Sequence, residues 1–171
     1  EEVAAGRVPE FEDTAFLVDA LDGTREFVKG GQDFTVNIGL VTKGVPVLGL
    51  LMAPVTGRLF ATLGEGRAVE ARLTPEQVAQ GASAASAVEL KAITSSVPDM
   101  NALRVLASRS HRSAQTDEFL AKFKVGHING IGSSVKFGLM AAGEADLYPR
   151  CGPTSAWDIA AGHAILAAAG G

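Results

Sequence analysis

Two acids three residues apart, Asp19 and Asp22, close an apolar run, and Gly23 and Thr24 follow them directly. In a regular strand side chains alternate with period two, so Asp19 and Asp22 would point to opposite faces. For both to serve one target the chain must turn between them, and Gly23 supplies the backbone freedom for that turn. Two carboxylates and a threonine hydroxyl at a strand-to-turn junction suit a hard cation and a phosphate. The same residues also suit a strand closed by an Asp-Gly turn, or an Asx/Thr helix cap.

A third acid lies far along the chain. Asp158 follows Trp157 in the first turn of a helix expected from about Ser155 to Ala168. Ser155 with an acid three positions on reads as a capping box, and the acid also suits the helix dipole; the other reading is a third site carboxylate. One of Glu1 and Glu2, otherwise a solvated pair, would complete a cage of four acids with these three. Four carboxylates in one pocket repel and would not all ionise unless cations neutralise them. Oxygen ligands without a Cys/His cluster favour Mg²⁺ over Zn²⁺, and two such ions suit phosphoryl transfer.

Other residues leave two readings open. Gly132-Ser133-Ser134 before a helix is an ordinary N-cap, or a set of amides and hydroxyls that receives a phosphate. His111, closing Ser108-Arg-Ser-His111, is an exposed polar residue or contacts a base or ribose. Lys136 and Arg150 are isolated cations at loop ends, solvated or facing an anion. His127 and His163 have no ligand spacing to the acids.

The elements that must position these groups divide into two parts. A strand over 14–19 is followed by an antiparallel hairpin, 34–41 and 46–52, with Thr42-Lys43-Gly44-Val45 between its arms, and by a third strand, 58–62. An Ala/Ser-rich stretch, 82–87, reads as an exposed connection. Strands are then expected at 104–107, 125–131 and 145–148, alternating with helices at 115–124 and 134–142, before the last helix. This alternation implies an α/β second lobe with loops at strand ends that suit ligands. The expected division is 1–98, a sheet-rich metal-loop lobe, and 99–171, an α/β lobe.

With 171 residues, 47% hydrophobic and 20% charged, the chain reads as globular, and a formal net charge of −4 argues against a nucleic-acid polymer as partner. The single cysteine, Cys151, excludes an internal disulfide and suits a reducing compartment. No run approaches the ~18–20 apolar residues of a membrane span. The chain starts without Met and ends at Gly170-Gly171, so both ends are expected to be cuts through a longer protein.

In order along the chain, Glu1-Glu2, Asp19-Ala-Leu-Asp22-Gly-Thr24, Trp157-Asp158 and Gly170-Gly171 resemble the signature of the lithium-sensitive, Mg²⁺-dependent phosphatases. That superfamily includes inositol monophosphatases, fructose-1,6-bisphosphatases and 3'(2'),5'-bisphosphate nucleotidases. Arg25-Glu-Phe27, Phe34-Thr-Val-Asn-Ile38, Ser108-Arg-Ser-His111, Gly132-Ser-Ser-Val-Lys136-Phe137, Leu147-Tyr-Pro-Arg150 and Trp157-Asp-Ile-Ala-Ala-Gly-His163 are similar to the bacterial CysQ type of nucleotidase. The resemblance implies the layered α/β (α+β) sugar-phosphatase fold in two lobes, here lacking both termini. It implies a Mg²⁺-dependent enzyme, with two or three ions, that hydrolyses adenosine 3',5'-bisphosphate to AMP and phosphate. An inositol or fructose bisphosphate phosphatase, or an inactive metal- and nucleotide-binding fragment, are the alternatives.

Carried over residue by residue, Glu1, Asp19 and the Leu21 carbonyl would hold one ion, and Asp19, Asp22 and Asp158 a second. Thr24 would orient the attacking water, with the amides of Gly23 and Thr24 on the scissile phosphate. Ser133, Ser134, Lys136 and Arg150 would face the nucleotide and its other phosphate, with His111 near the base or ribose. The implied setting is the cytoplasm, in some relatives peripherally on the inner face of the membrane. Three departures stand out: Ala20 replaces the usual Pro, the acid partner of Thr24 lies upstream of Glu1, and the covering N-terminal helices and the strand after Gly171 are absent.

Overall fold

The computed structural model describes residues 13–64, 66–80, 88–110 and 112–171. Its larger sheet is a six-stranded antiparallel meander in chain order. The strands are β1 (Thr14–Asp22), β2 (Thr35–Thr42), β3 (Val45–Ala53), β4 (Arg58–Thr62), β5 (Ala68–Arg72) and β6 (Lys91–Ile93). A short helix, α1 (Thr24–Val28), separates β1 from β2, and α2 (Pro75–Gln80) lies between β5 and β6. A second sheet pairs β7 (Leu103–Ser108) in parallel with β8 (Val125–Ile131), around α3 (Ala114–Leu120). Helices α4 (Val135–Ala141) and α5 (Ala156–Ala168) complete the chain. The class is the expected mixed α/β.

The hairpin and third strand fall where alternation places them, and the meander continues through β5 and β6, which are too short to show a pattern in the sequence. The helix expected over 115–124 ends at Leu120, because the Lys122 and Phe123 amides bond three residues back, to Phe119 and Leu120. The strand expected over 145–148 is reduced to one parallel bridge, Val105 with Leu147. Asp146 and Leu147 both donate their amides to the Arg104 carbonyl, so no regular ladder forms there. The stretch 82–87 lies outside the described residues.

Helix α5 lies across β1, β2 and β3 because its small residues meet two glycines. Gly39 and Gly49 are cross-strand partners, and a Cβ at Gly49 would stand 2.1 Å from the Ala161 carbonyl oxygen. A Cβ at Gly39 would stand 2.9 Å from the Ala161 nitrogen. On the next contact out, Gly162 faces the Phe137 ring and Gly138 the Phe60 ring, each with room for hydrogen alone. The main core, Leu51, Phe60, Ala141, Ile165 and Ala169, fills the space between sheet and helices. Leu103, Val105 and Leu120 form a smaller core under the parallel pair. The result is a fixed distance from the end of β1 to the start of α5.

Candidate metal and phosphate site

The turn that brings Asp19 and Asp22 together lies inside β1. Asp19 pairs with Asn37 and Asp22 with Thr35, so three steps on β1 match two on β2. The extra residue is a β-bulge, and it reverses the alternation that would have separated the two side chains. Gly23 (φ 87°) then serves the next step, the entry to α1, where a Cβ would sit 2.7 Å from the Asp33 carbonyl oxygen. The expectation that Gly23 makes the turn is corrected accordingly.

Asp158 meets these acids from the start of α5. Carboxylate oxygens of Asp19, Asp22 and Asp158 lie within 4.8 Å of one another. Capping and clustering coexist: Asp158 Oδ2 accepts from the Ser155 amide (3.0 Å) and the Thr154 hydroxyl (2.9 Å). Burial is the main force that raises the pKa of Asp19, and Asp22 and Asp158 add repulsion, against a bond from the Leu21 amide (3.0 Å). Burial also raises Asp22, with Asp158 adding repulsion and the Ser134 amide (2.5 Å) opposing it. Three hard oxygen donors, two of them with pKa values raised by burial and mutual repulsion, are a fitting set for a hard divalent cation.

Beside the acids opens a cleft of about 250 Å³. Asp22, Gly23, Thr24, Ser133, Ser134, Lys136, Arg150 and Asp158 all line it, from four separate stretches of sequence. Asp19 and Leu21 stand outside the lining, Leu21 turning its carbonyl to the Thr24 hydroxyl (3.3 Å). Glu1 and His111 lie outside the described residues. Cations therefore share the cleft with the acids. Arg150 donates to the Pro153 carbonyl (2.8 Å), while its Nε is buried with no protein partner among the described residues.

Two of the expected substrate contacts are enclosed. Lys136 is 2% exposed, and its ammonium donates to the carbonyls of Ile131 (3.2 Å), Gly132 (3.0 Å) and Ser133. Burial lowers its pKa to about 8, with Arg150 adding to the fall and Asp22 resisting it. Ser134 is 4% exposed, and its hydroxyl turns into the sheet toward Asn37 and Thr35. Ser133 holds a positive φ of 46° at the cleft.

Sequence reasoning missed Glu26 and Tyr148 as cleft residues. Glu26 is buried and accepts from Ser110 (2.6 Å), fastening α1 to the loop after β7. Tyr148 lies with its ring 4.8 Å from the Lys136 ammonium. Both stood inside stretches that carried the resemblance, the one signal that could have found them.

The chain matches the model of the inositol monophosphatase family over residues 1–171. Among curated proteins it is 42% identical over 155 residues to the 3'(2'),5'-bisphosphate nucleotidase CysQ of Escherichia coli (strain K12), covering 91% of this chain and 56% of that one. It is 43% identical over 155 residues to the protein of the same name from Salmonella typhimurium, with the same coverage. The chain thus spans about half the length of the curated relatives it matches. Among solved structures, CysQ from Bacteroides thetaiotaomicron, described as a bacterial member of the inositol monophosphatase family, superposes with a TM-score of 0.73 at 31% identity. That match covers 96% of this chain and 68% of the other.

Proposed function

The chain belongs to the inositol monophosphatase family, and on that premise we propose that its protein is a Mg²⁺-dependent 3'(2'),5'-bisphosphate nucleotidase. The reaction is hydrolysis of adenosine 3',5'-bisphosphate: water enters at the 3'-phosphorus, the ester P–O bond breaks, and AMP and phosphate leave. The observation that carries this reading is the meeting of Asp19, Asp22 and Asp158, the last two lining a cleft that Lys136 and Arg150 also line. An acidic pole beside a basic one suits a substrate with one phosphate to cleave and another to hold. The curated relatives' names support the nucleotide over an inositol phosphate.

In this reading Asp19, Asp22, Asp158 and the Leu21 carbonyl hold Mg²⁺, in two or three ions, with Glu1 completing the set. When bound, Mg²⁺ supplies Lewis acidity for phosphoryl transfer. Thr24, exposed at the cleft, positions the attacking water through a hydroxyl already fixed on Leu21. The amides of Gly23 and Thr24 receive the scissile phosphate. Arg150 and Ser133, both lining the cleft, hold the second phosphate, and His111 meets the base or ribose. Lys136 adds positive charge from behind the 131–133 carbonyls. In the proposed division, 1–98 and 99–171 each contribute residues to the cleft. Among the described residues no helix is long and apolar enough to cross a membrane, and the exposed Cys151 suits the cytoplasmic setting included in the proposal.

The test is phosphate release by the protein at its full natural length, with Mg²⁺, from adenosine 3',5'-bisphosphate, inositol 1-phosphate and fructose 1,6-bisphosphate side by side. The expected result is a kcat/KM for the nucleotide at least about tenfold above the other two. Preference for either sugar phosphate would overturn the assignment.

A further inference from the structure

Ser134 bonds to both strands that lie beneath Asp19 and Asp22. Its amide donates to Asp22 Oδ2 (2.5 Å) and its hydroxyl to Asn37 Oδ1 (2.8 Å), while the Thr35 and Ser134 hydroxyls lie 2.7 Å apart. Thr35 Oγ1 in turn stands 3.5 Å from the same Asp22 oxygen. Thr35 and Asn37 are both 0% exposed. They are also the two residues that straddle the bulge: Asn37 pairs with Asp19 and Thr35 with Asp22. One side chain, arriving from the start of α4, therefore grips both cross-strand partners of the two acids.

The loop around Ser134 is built to deliver that amide. The Lys136 ammonium gathers the carbonyls of 131, 132 and 133 on one side. Peptide N–H groups point opposite to their carbonyls, and those of Gly132 and Ser134 reach Asp33 Oδ2 (3.2 Å) and Asp22 Oδ2 on the other side. Ser133, between those two amides, holds a positive φ of 46°. A hydroxyl meant for a ligand would face the cleft, whereas this one is enclosed and spent on the sheet.

We propose that Ser134 is a positioning residue, which holds the bulge of β1 and with it Asp19 and Asp22 in metal-binding geometry, rather than a contact for the nucleotide. The inference rests on the metal reading above. A buried network of this kind acts as a unit, and loss of a group that orients a metal ligand typically costs about 10–100-fold in metal affinity.

The test compares wild type, Ser134→Ala and Thr35→Val in the protein at its full natural length; Thr35→Val removes the neighbouring hydroxyl at almost constant volume should Ser134→Ala fail to fold. Crystal structures of the metal-free proteins should show the Asp22 carboxylate displaced in both variants. Calorimetric titration with Mg²⁺ should show affinity weakened about tenfold. The KM for adenosine 3',5'-bisphosphate at saturating Mg²⁺ should stay within about twofold of wild type. A raised KM with Asp22 in place and Mg²⁺ affinity unchanged would overturn the proposal. Wild type that takes up no Mg²⁺ would refute the metal reading, and the metal-free crystal structures would still decide whether Ser134 positions Asp22.

Discussion

Asp19→Asn should lower phosphate release about 10³-fold, roughly 4 kcal/mol of lost barrier reduction, and yet raise the melting temperature of the metal-free protein. The two effects share one cause. Burial and the nearby Asp22 and Asp158 hold the Asp19 pKa up, so its charge opposes folding unless a cation is present. Asn keeps an acceptor for the Leu21 amide and removes the charge. The sign in pH follows directly. With folded pKa values raised above 3.8, the contribution of Asp19 and Asp22 to stability is full below that pH and is lost as pH rises through the raised values. Metal-free wild type should therefore lose melting temperature from acid toward neutral pH more steeply than Asp19→Asn. Mg²⁺ should restore wild type near neutrality, since a ligand that binds only the folded state stabilises it, and should do little for the variant. Equal melting curves and an equal Mg²⁺ response would remove Asp19 from the site.

Gly49→Ala is expected to cause a large loss of stability. The added methyl would lie 2.1 Å from the Ala161 carbonyl oxygen and 2.9 Å from the Ile165 side chain, and a helix backbone cannot step aside as a side chain can. Overpacking of this kind costs up to about 3 kcal/mol or more, which for a chain of this size is a fall of roughly 6–12 °C in Tm. Because α5 carries Asp158 in its first turn, metal affinity should fall with it. Gly130→Ala is the control, with nothing within 4 Å of the added methyl. Thermal melts of the two variants side by side check the prediction, and a Gly49→Ala protein as stable as Gly130→Ala would contradict the close helix-on-sheet contact.

What could be read from the sequence divides along physical lines. The hairpin β2–β3 and helix α5 were legible because alternation and a small-residue face are local patterns. The acids were legible as types, but how they meet was not. A bulge is one unpaired residue and has no periodic signature, so in the sequence the turn points to Gly23. Asp158 looked like a choice between a cap and a site acid; the capping bond uses Oδ2 and leaves the carboxylate within reach of Asp19 and Asp22. Lys136 and Ser134 look in the sequence like groups free for a ligand. Their enclosure comes from β2 and from the 131–133 carbonyls, contacts that depend on how loops fold back. The strand expected at 145–148 failed because the Arg104 side chain takes the Asp146 carboxylate (2.6 Å) and its backbone carbonyl takes both local amides, contacts that hydrophobic pattern cannot show.

The most direct test of the metal site is anomalous scattering from crystals of the full-length protein soaked in Mn²⁺, a stand-in for Mg²⁺ at oxygen sites. The predicted result is a peak enclosed by Asp19, Asp22 and Asp158, absent from Asp19→Asn crystals grown and soaked alike. Mn²⁺ bound only elsewhere, in crystals of protein that still hydrolyses adenosine 3',5'-bisphosphate, would contradict it.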